Sequence, residues 1–329
     1  MRYVHYEHAG DPLNLPMGSL IFIDGVAGIF CNVFIIFVFF KSSDKTSFNL
    51  ICVFRAVNNV IKLIMFVVNM FPLTVWGMTI LPLPVEDTYM VLNISLYHVN
   101  RAICIVLAIN RFIALFFPVQ YMQFCGFRAT LIVLSILQFV CVYREMEPQI
   151  ANMIYDRSEK TVNNSITFSP DLMEFALPIS KNSEEDFGTS LIDKLGTITP
   201  IFFVICVVIN FSTLLKISYY YLLQQQIDTN VSREKIKKNA RLFLQTLLQD
   251  GMFLVDMAFI IYFSNLFKSR FWSFISWIFV AENVHSLDGV VMLVFTDQRK
   301  SLIQIFKQFI RAEPQQTWAQ KSTSLTRIS

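Results

Sequence analysis

Charged side chains are scarce in this sequence. Asp, Glu, Lys and Arg make up 16% of its 329 residues, whereas hydrophobic residues make up 54%. A soluble protein normally carries about 25% charged residues. The hydrophobic residues also form several uninterrupted runs of roughly the 20 residues that cross a bilayer as a helix. The sequence therefore excludes an ordinary soluble domain and predicts an all-α membrane protein.

Motifs that carry catalysis or bind metals are missing as well. The sequence contains no HExxH, no GxSxG and no glycine-rich phosphate loop. Its six cysteines form neither a CxxC pair nor a cluster with histidine, so we expect neither metal binding nor redox chemistry. We expect no enzyme, no cofactor and no nucleic-acid partner.

Seven apolar runs predict seven membrane-spanning helices. They cover residues 18–40, 47–71, 89–113, 129–143, 197–222, 241–263 and 272–295. The fourth has only 15 clear residues, which at 1.5 Å per residue would span roughly 22 Å. Residues 1–17 lack the pattern of a cleaved signal peptide, so we expect the first helix to act as the insertion signal. The predicted fold is a seven-transmembrane bundle over residues 18–313.

Lysine and arginine are distributed unequally between the two sides of this predicted bundle. They are enriched between the first and second helices, the third and fourth, the fifth and sixth, and after the seventh. Acidic residues gather on the opposite side, for example in Glu184-Glu185-Asp186. Because positively charged loops stay in the cytoplasm, we predict that the N-terminus lies outside and Arg111 inside.

Segments outside the helices give further predictions. The outer segment 144–196 is acidic, rich in Ser and Asn and without a hydrophobic period, which predicts an irregular loop. Within it, Asn163 begins an Asn-x-Ser glycosylation pattern. Residues 298–310 place apolar side chains on one face, which predicts a short amphipathic helix on the inner leaflet. We expect the tail that follows, 314–329, to be disordered.

Ionisable side chains inside the predicted helices are candidates for function, because a charge in a bilayer is costly. They could instead pair with each other and fix only the packing of the helices. Arg55 and Lys62, seven residues apart, share nearly one face of the second helix. We predict that a ligand site or a polar core network involves Arg101, Asp256, Glu282, His285, Asp24, Asp250 and Asp288.

Asn110-Arg111-Phe112 closes the third predicted helix and places a permanently charged guanidinium at the membrane surface. Together with seven helices, this triplet resembles the rhodopsin-like receptors coupled to G proteins, which carry an acidic residue, an arginine and an aromatic residue here. Three stretches are similar to the nematode serpentine chemoreceptors of class X, the Srx family: SFNLICVFRA (47–56), AINRFIALFFPVQY (108–121) and HSLDG (285–289). The resemblance covers the first three and the last three helices.

The resemblance implies a chemosensory receptor that transmits the binding of an unknown small molecule to a heterotrimeric G protein. It implies a multi-pass protein of the plasma membrane, in sensory cilia by analogy with the family. In the receptors that the chain resembles, the arginine of the triplet contacts the G protein. We predict that G protein coupling involves Asn110, Arg111, Phe112, Pro118, Lys237 and Lys238.

Departures from the receptor pattern keep two alternatives open. Asn110 replaces the usual acid, and no cysteine occurs in 72–100 or 144–196 to form the disulfide that is usual in such receptors. The Pro-x-x-Tyr pattern of the seventh helix is also missing. The alternatives are a transporter or channel that uses the intramembrane charges, and a degenerate paralogue that no longer signals.

Overall fold

The computed structural model describes residues 10–41, 46–155, 204–220 and 230–295, together with residues 8 and 222 and the short pieces 2–3, 167–169 and 173–176. The predicted amphipathic helix at 298–310, the tail at 314–329 and Asn163 lie outside the described residues.

Six of the described helices are long and apolar enough to cross a membrane, and a shorter apolar helix stands in the fifth position. We refer to them as the first to seventh spans: Asn14–Lys41, Ser47–Trp76, Thr88–Phe116, Phe127–Glu147, Val204–Tyr220, Asn239–Phe263 and Arg270–Phe295. They form a seven-transmembrane helix bundle, which confirms the predicted fold class. We call the end where the first span begins the N-terminal end, and the opposite end the Arg111 end.

Several helices extend beyond their spans. The third runs over Leu83–Phe116, and the fourth over Phe127–Tyr155. The sixth begins at Asn230, well before its apolar part. A short helix, Pro118–Phe124, connects the third span to the fourth at the Arg111 end.

The fourth span is longer than the sequence predicts. The span, Phe127–Glu147, has 21 residues, which at 1.5 Å per residue is about 31 Å. That length matches the hydrocarbon core of a bilayer, about 30 Å thick. The prediction of a short fourth helix was wrong, because the helix continues through polar residues such as Arg144 where the apolar run ends.

Capping residues set the ends of two spans. Thr46 Oγ1 accepts a hydrogen bond from the backbone N–H of Asn49 at 3.2 Å and starts the second span. Ser269 Oγ accepts from the backbone N–H of Trp272 at 3.2 Å and starts the seventh. Gly77 ends the second span with a φ of +63°, the left-handed conformation that favours glycine at a helix C-terminus.

Three spans contain a π-helical turn near the N-terminal end of the bundle. These turns are Phe66–Met70 in the second span, Phe259–Phe263 in the sixth and Phe274–Phe279 in the seventh. The regular α-helical parts around them are Ser47–Met65, Phe71–Trp76, Asn230–Ala258, Arg270–Ser273 and Val280–Phe295. In the second span the π turn ends two residues before Pro72, which has no N–H and would collide with a carbonyl one turn earlier in a regular helix. The wider turn therefore lets the span continue past the proline.

The first and seventh spans pack at very short range. A Cβ added at Gly28 would lie 2.8 Å from the Cα of Ser286, and one added at Gly289 would lie 2.7 Å from Asn32 Nδ2. Only glycine fits at these two contacts. The fourth and fifth spans, in contrast, direct large apolar side chains outward, as lipid-facing helices do: Ile132, Ile136, Phe139, Val204, Ile205 and Val208.

Two short pairs of antiparallel strands lie at the N-terminal end. Arg2–Tyr3 pairs with Met78–Thr79, and Thr167–Ser169 pairs with Glu174–Ala176. Met173, in the turn of the second pair, is fully buried in the apolar cluster that includes Phe66 and Phe274 of the second and seventh spans. The segment 144–196 thus contains the end of the fourth helix and a docked hairpin, and at both places it differs from the predicted irregular loop.

Candidate ligand site and polar core

The carboxylate of Asp288 lies at the centre of a polar core between the second, sixth and seventh spans. Its Oδ2 accepts hydrogen bonds from Arg55 Nε at 2.8 Å and from Asn59 Nδ2 at 2.7 Å. Its Oδ1 accepts one from Gln249 Nε2 at 2.8 Å. All four side chains are fully buried. The guanidinium and the carboxylate therefore neutralise each other where a single charge would be very costly.

Neutral amides extend this core to the first and third spans. Asn59 Nδ2 donates to Asn32 Oδ1 at 3.2 Å, and Asn59 Oδ1 accepts from Asn100 Nδ2 at 2.9 Å. His285 Nδ1 lies 2.8 Å from the same Asn59 oxygen. Asn58 Nδ2 in turn donates to Asn100 Oδ1 at 3.1 Å. Five of the seven spans therefore meet in one hydrogen-bonded core, which fixes their relative positions.

A second polar group, closer to the N-terminal end, connects the third and sixth spans. Tyr97 Oη donates a hydrogen bond to Asp256 Oδ2 at 2.6 Å, and Asp256 is fully buried. Lys62 Nζ lies 4.6 Å and Arg101 Cζ 5.8 Å from the centre of the Tyr97 ring. The ring and the carboxylate thus meet two cations at this level of the bundle.

Glu282 and Asp24 form a third group at the interface of the first and seventh spans. Glu282 is fully buried, and a Cβ added at Gly25 would lie 2.9 Å from its Oε1. Both carboxylate oxygens of Glu282 and the Oδ2 of Asp24 have no hydrogen-bond partner among the described residues. The backbone carbonyl of Asp24 accepts from Ser286 Oγ at 3.3 Å. These two carboxyl groups are separate from the core around Asp288.

A cavity of about 530 Å³ lies among the third, fifth and sixth spans, within the size range of small-molecule sites. We call it the 3–5–6 cavity. Its wall is mainly apolar, but it includes the side chains of Arg101, Asn210 and Asp250. Asn210 Nδ2 donates a hydrogen bond to Asp250 Oδ2 at 2.8 Å. Two of the residues predicted for a ligand site, Arg101 and Asp250, therefore share one cavity.

At the Arg111 end, Asn110 joins the second and third spans to the short helix that follows. Asn110 Nδ2 donates to Ser47 Oγ and Asn110 Oδ1 accepts from Tyr121 Oη, both at 3.3 Å. Ser47 Oγ and Tyr121 Oη are themselves 2.6 Å apart. Arg111 Cζ lies 3.7 Å from the centre of the Phe48 ring of the second span. The neutral Asn110 therefore connects three elements by hydrogen bonds, and Arg111 makes a cation–π contact with the Phe48 ring.

The other residues predicted for G protein coupling surround this point. The Phe112 ring stacks on the Phe116 ring, with 4.3 Å between their centres. Pro118 begins the short helix and is exposed, as is Lys237 on the sixth helix. Lys238 follows in the same helix, but its side chain lies outside the described residues. The short helix also exposes three apolar side chains, Val119, Met122 and Phe124.

Cys125, which follows the short helix, is outside the spans. It is buried, and burial raises the pKa of its thiol, because the charged thiolate is disfavoured away from water. This thiol is therefore expected to be chemically inert.

The seven residues predicted for a ligand site or core thus divide among four places. Asp288 and His285 belong to the polar core, and Asp256 belongs to the second polar group, where it accepts from Tyr97. Asp24 and Glu282 lie at the interface of the first and seventh spans, and Arg101 and Asp250 line the 3–5–6 cavity. The prediction missed the neutral residues that hold the core together: Asn32, Asn59, Asn100, Gln249 and Tyr97. Four of these residues are amides inside apolar runs. Because a buried amide without a hydrogen-bond partner is costly, these four could have been recognised from the sequence as members of a polar core.

Seven spans around a buried polar core, with an arginine at the end of the third span, form a rhodopsin-like seven-transmembrane fold. The crystal structure of squid rhodopsin has this fold: it matches the chain with a TM-score of 0.70 at 15% identity, over 94% of this chain and 91% of the other. The model of the family described as serpentine type 7TM GPCR chemoreceptor Srx matches residues 22–296. The chain belongs to this family, as its sequence predicts. No curated protein matches the chain.

Proposed function

We propose that the protein is a chemosensory receptor of the plasma membrane that couples the binding of a small molecule to activation of a heterotrimeric G protein. The observation that carries the proposal is the surface at the Arg111 end. There the Arg111 guanidinium lies against the Phe48 ring. The short helix, which Tyr121 ties to the neighbouring Asn110, exposes three apolar side chains, Val119, Met122 and Phe124. Exposed apolar side chains are typical of a protein-binding surface. In the predicted orientation, this surface faces the cytoplasm.

The sixth span is the element that can transmit a signal along the bundle. Close to the middle of the span, Gln249 holds it to Asp288 at 2.8 Å, and nearer the N-terminal end Asp256 holds it to Tyr97 at 2.6 Å. A ligand that binds more tightly to an arrangement in which these contacts are changed would shift the population toward that arrangement. Arg111 would then leave the Phe48 ring and contact the G protein.

The observations favour the receptor over both alternatives. The buried charges lie in separate groups, and membership of a receptor family supports signalling over transport. The full-length fourth span removes the main reason to suspect a degenerate paralogue.

A screen followed by a substitution tests the proposal. Cells that carry the receptor and a promiscuous G protein are exposed to a library of small organic compounds, and calcium release identifies agonists. With an agonist in hand, Arg111→Ala is expected to abolish the response at unchanged surface expression. Arg128→Ala, which removes an exposed arginine at the same end, is the matched control and should respond normally. A normal response of the Arg111 variant, or a ligand-evoked current without any G protein, would overturn the proposal.

A further inference from the structure

The wall of the 3–5–6 cavity carries two buried hydrogen-bond acceptors without a partner among the described residues. Asp250 and Asn210 bond each other through Asp250 Oδ2 and Asn210 Nδ2. The Oδ1 atoms of both side chains accept no hydrogen bond from a nitrogen or oxygen donor in the part of the chain that the structure describes, and only the weakly donating thiol of Cys104 lies close to the Asp250 carboxylate. Because buried acceptors are normally satisfied, the site favours a molecule that brings donors.

The charges around these acceptors favour a cation. Arg55 directs its Nε to Asp288 at 2.8 Å, and its Nη1 lies 3.6 Å from Cys104 Sγ in the cavity wall. Asp250 also interacts electrostatically with this guanidinium, so that two carboxylates, Asp250 and Asp288, share Arg55. Arg101 also belongs to the wall, but it faces the Tyr97 ring, toward Asp256. A positive group beside Asp250 would balance the second carboxylate.

The rest of the wall is suited to an apolar body. Around Asp250 and Asn210 it is formed by large side chains such as Phe211, Leu247 and Phe253. Such a wall stabilises a hydrocarbon or aromatic group by excluding water, and a few polar atoms then fix its orientation.

We infer that the 3–5–6 cavity binds an organic cation, namely a primary or secondary amine on an apolar body. Its ammonium group donates hydrogen bonds to Asp250 Oδ1 and Asn210 Oδ1, and its apolar part lies along Phe211 and Phe253. The consequence for signalling rests on the proposed receptor function, whereas the binding itself does not.

Binding is measured on purified full-length receptor in detergent, without G protein, with three probes of the same shape and different charge. The probes are 4-phenylbutylamine, 4-phenylbutan-1-ol and 4-phenylbutyrate. We expect the amine to raise the thermal unfolding temperature in a saturable way, the alcohol to act only at higher concentration, and the acid to have no effect. Arg111→Ala should bind the amine normally, which separates this test from that of signalling.

Two kinds of variant locate the site. Asp250→Asn removes the charge and keeps the shape, and should weaken amine binding by about tenfold to a hundredfold while leaving the alcohol nearly unchanged. Gly251 offers a steric test, because it lines the cavity and a Cβ added there meets no atom within 4 Å. Gly251→Phe should fill the cavity and abolish binding of both compounds, whereas Gly251→Ala, the matched control, should bind both.

Several outcomes would overturn the inference. Equal binding of the amine and the alcohol would show that the cavity does not select a positive charge. Stronger binding of the acid would show that it selects an anion instead. Unchanged amine binding by the folded Gly251→Phe variant would place the site elsewhere, even if Asp250→Asn could not be purified. If none of the three probes binds the wild type, the proposed ligand class is wrong, although the receptor could still signal to another compound.

Discussion

The buried ion pair of Arg55 and Asp288 allows a prediction with a worked magnitude. The two side chains are 1% and 0% exposed, and Nε and Oδ2 are 2.8 Å apart. In Asp288→Leu the guanidinium stays charged, because arginine does not lose its proton in proteins, and Asn59 and Gln249 lose their acceptor. Removing one partner of a buried pair costs about 3–5 kcal/mol. At about 2–4 °C per kcal/mol for a large domain, the midpoint of thermal unfolding should fall by roughly 6–20 °C.

The double variant Arg55→Met/Asp288→Leu should be more stable than Asp288→Leu alone. Replacing both members of a buried pair by apolar residues of similar volume is often neutral or stabilising. We therefore expect the second substitution to recover at least half of the loss, which identifies the unpaired guanidinium as its cause. The double-mutant cycle isolates this coupling from the general effect of each substitution.

A thiol-reactive fluorescent dye can follow the unfolding of purified receptor, because Cys52, Cys104 and Cys206 are buried until the bundle opens. The pair of Arg270 and Asp11, 3.2 Å apart with side chains 10% and 23% exposed, supplies the control. Asp11→Leu should cost only about 1 kcal/mol or less, as for pairs near the surface. The reasoning is refuted if Asp288→Leu shifts the midpoint no more than this control, or if the double variant unfolds below both single variants.

Four further predictions concern other parts of the chain. Gly28→Val should cost about 1–3 kcal/mol and lower surface expression, since its Cβ would meet the backbone of Ser286 at 2.8 Å, whereas Gly251→Ala should preserve expression. Labelling of Cys125 by a thiol reagent should be slow at pH 7 and rise as the pH increases, because its raised pKa leaves little thiolate at neutral pH; fast labelling at pH 7 would contradict this. An epitope tag at the N-terminus should stain intact cells, and staining only after permeabilisation would reverse the predicted orientation. Digestion with a glycosidase should shift the wild-type protein on a gel but not the Asn163→Gln variant.

The number and placement of the spans could be predicted from the sequence, because each depends on the length of an apolar run. The second and seventh spans begin within two residues of their predicted starts at 47 and 272. The length of the fourth span was underestimated for the same reason, because its helix extends beyond its apolar run and continues to Tyr155.

The partners of the buried charges could not be predicted, because they depend on how each helix is rotated. Arg55 and Asp288 are 233 residues apart in sequence, and Tyr97 and Asp256 are 159 apart. Periodicity along one helix shows that Glu282, His285 and Asp288 share a face, but not which neighbours that face meets. The structure assigns Asp288 to Arg55 and to Gln249 of the sixth span, whereas Glu282 lies against the first.

The π turns of the second, sixth and seventh spans allow the side chains at one end of the bundle to change while those at the other end stay in place. A π turn holds one residue more than the α-helical turn it replaces, so every side chain beyond it is rotated by about 100° relative to a regular helix. The turns at Phe66–Met70, Phe259–Phe263 and Phe274–Phe279 all lie toward the N-terminal end. Gain or loss of one residue at any of them would present different side chains at that end while leaving Asn110 and Arg111 in place. A single-residue insertion or deletion at one of these turns would therefore change the side chains on one side of the membrane without altering the opposite side.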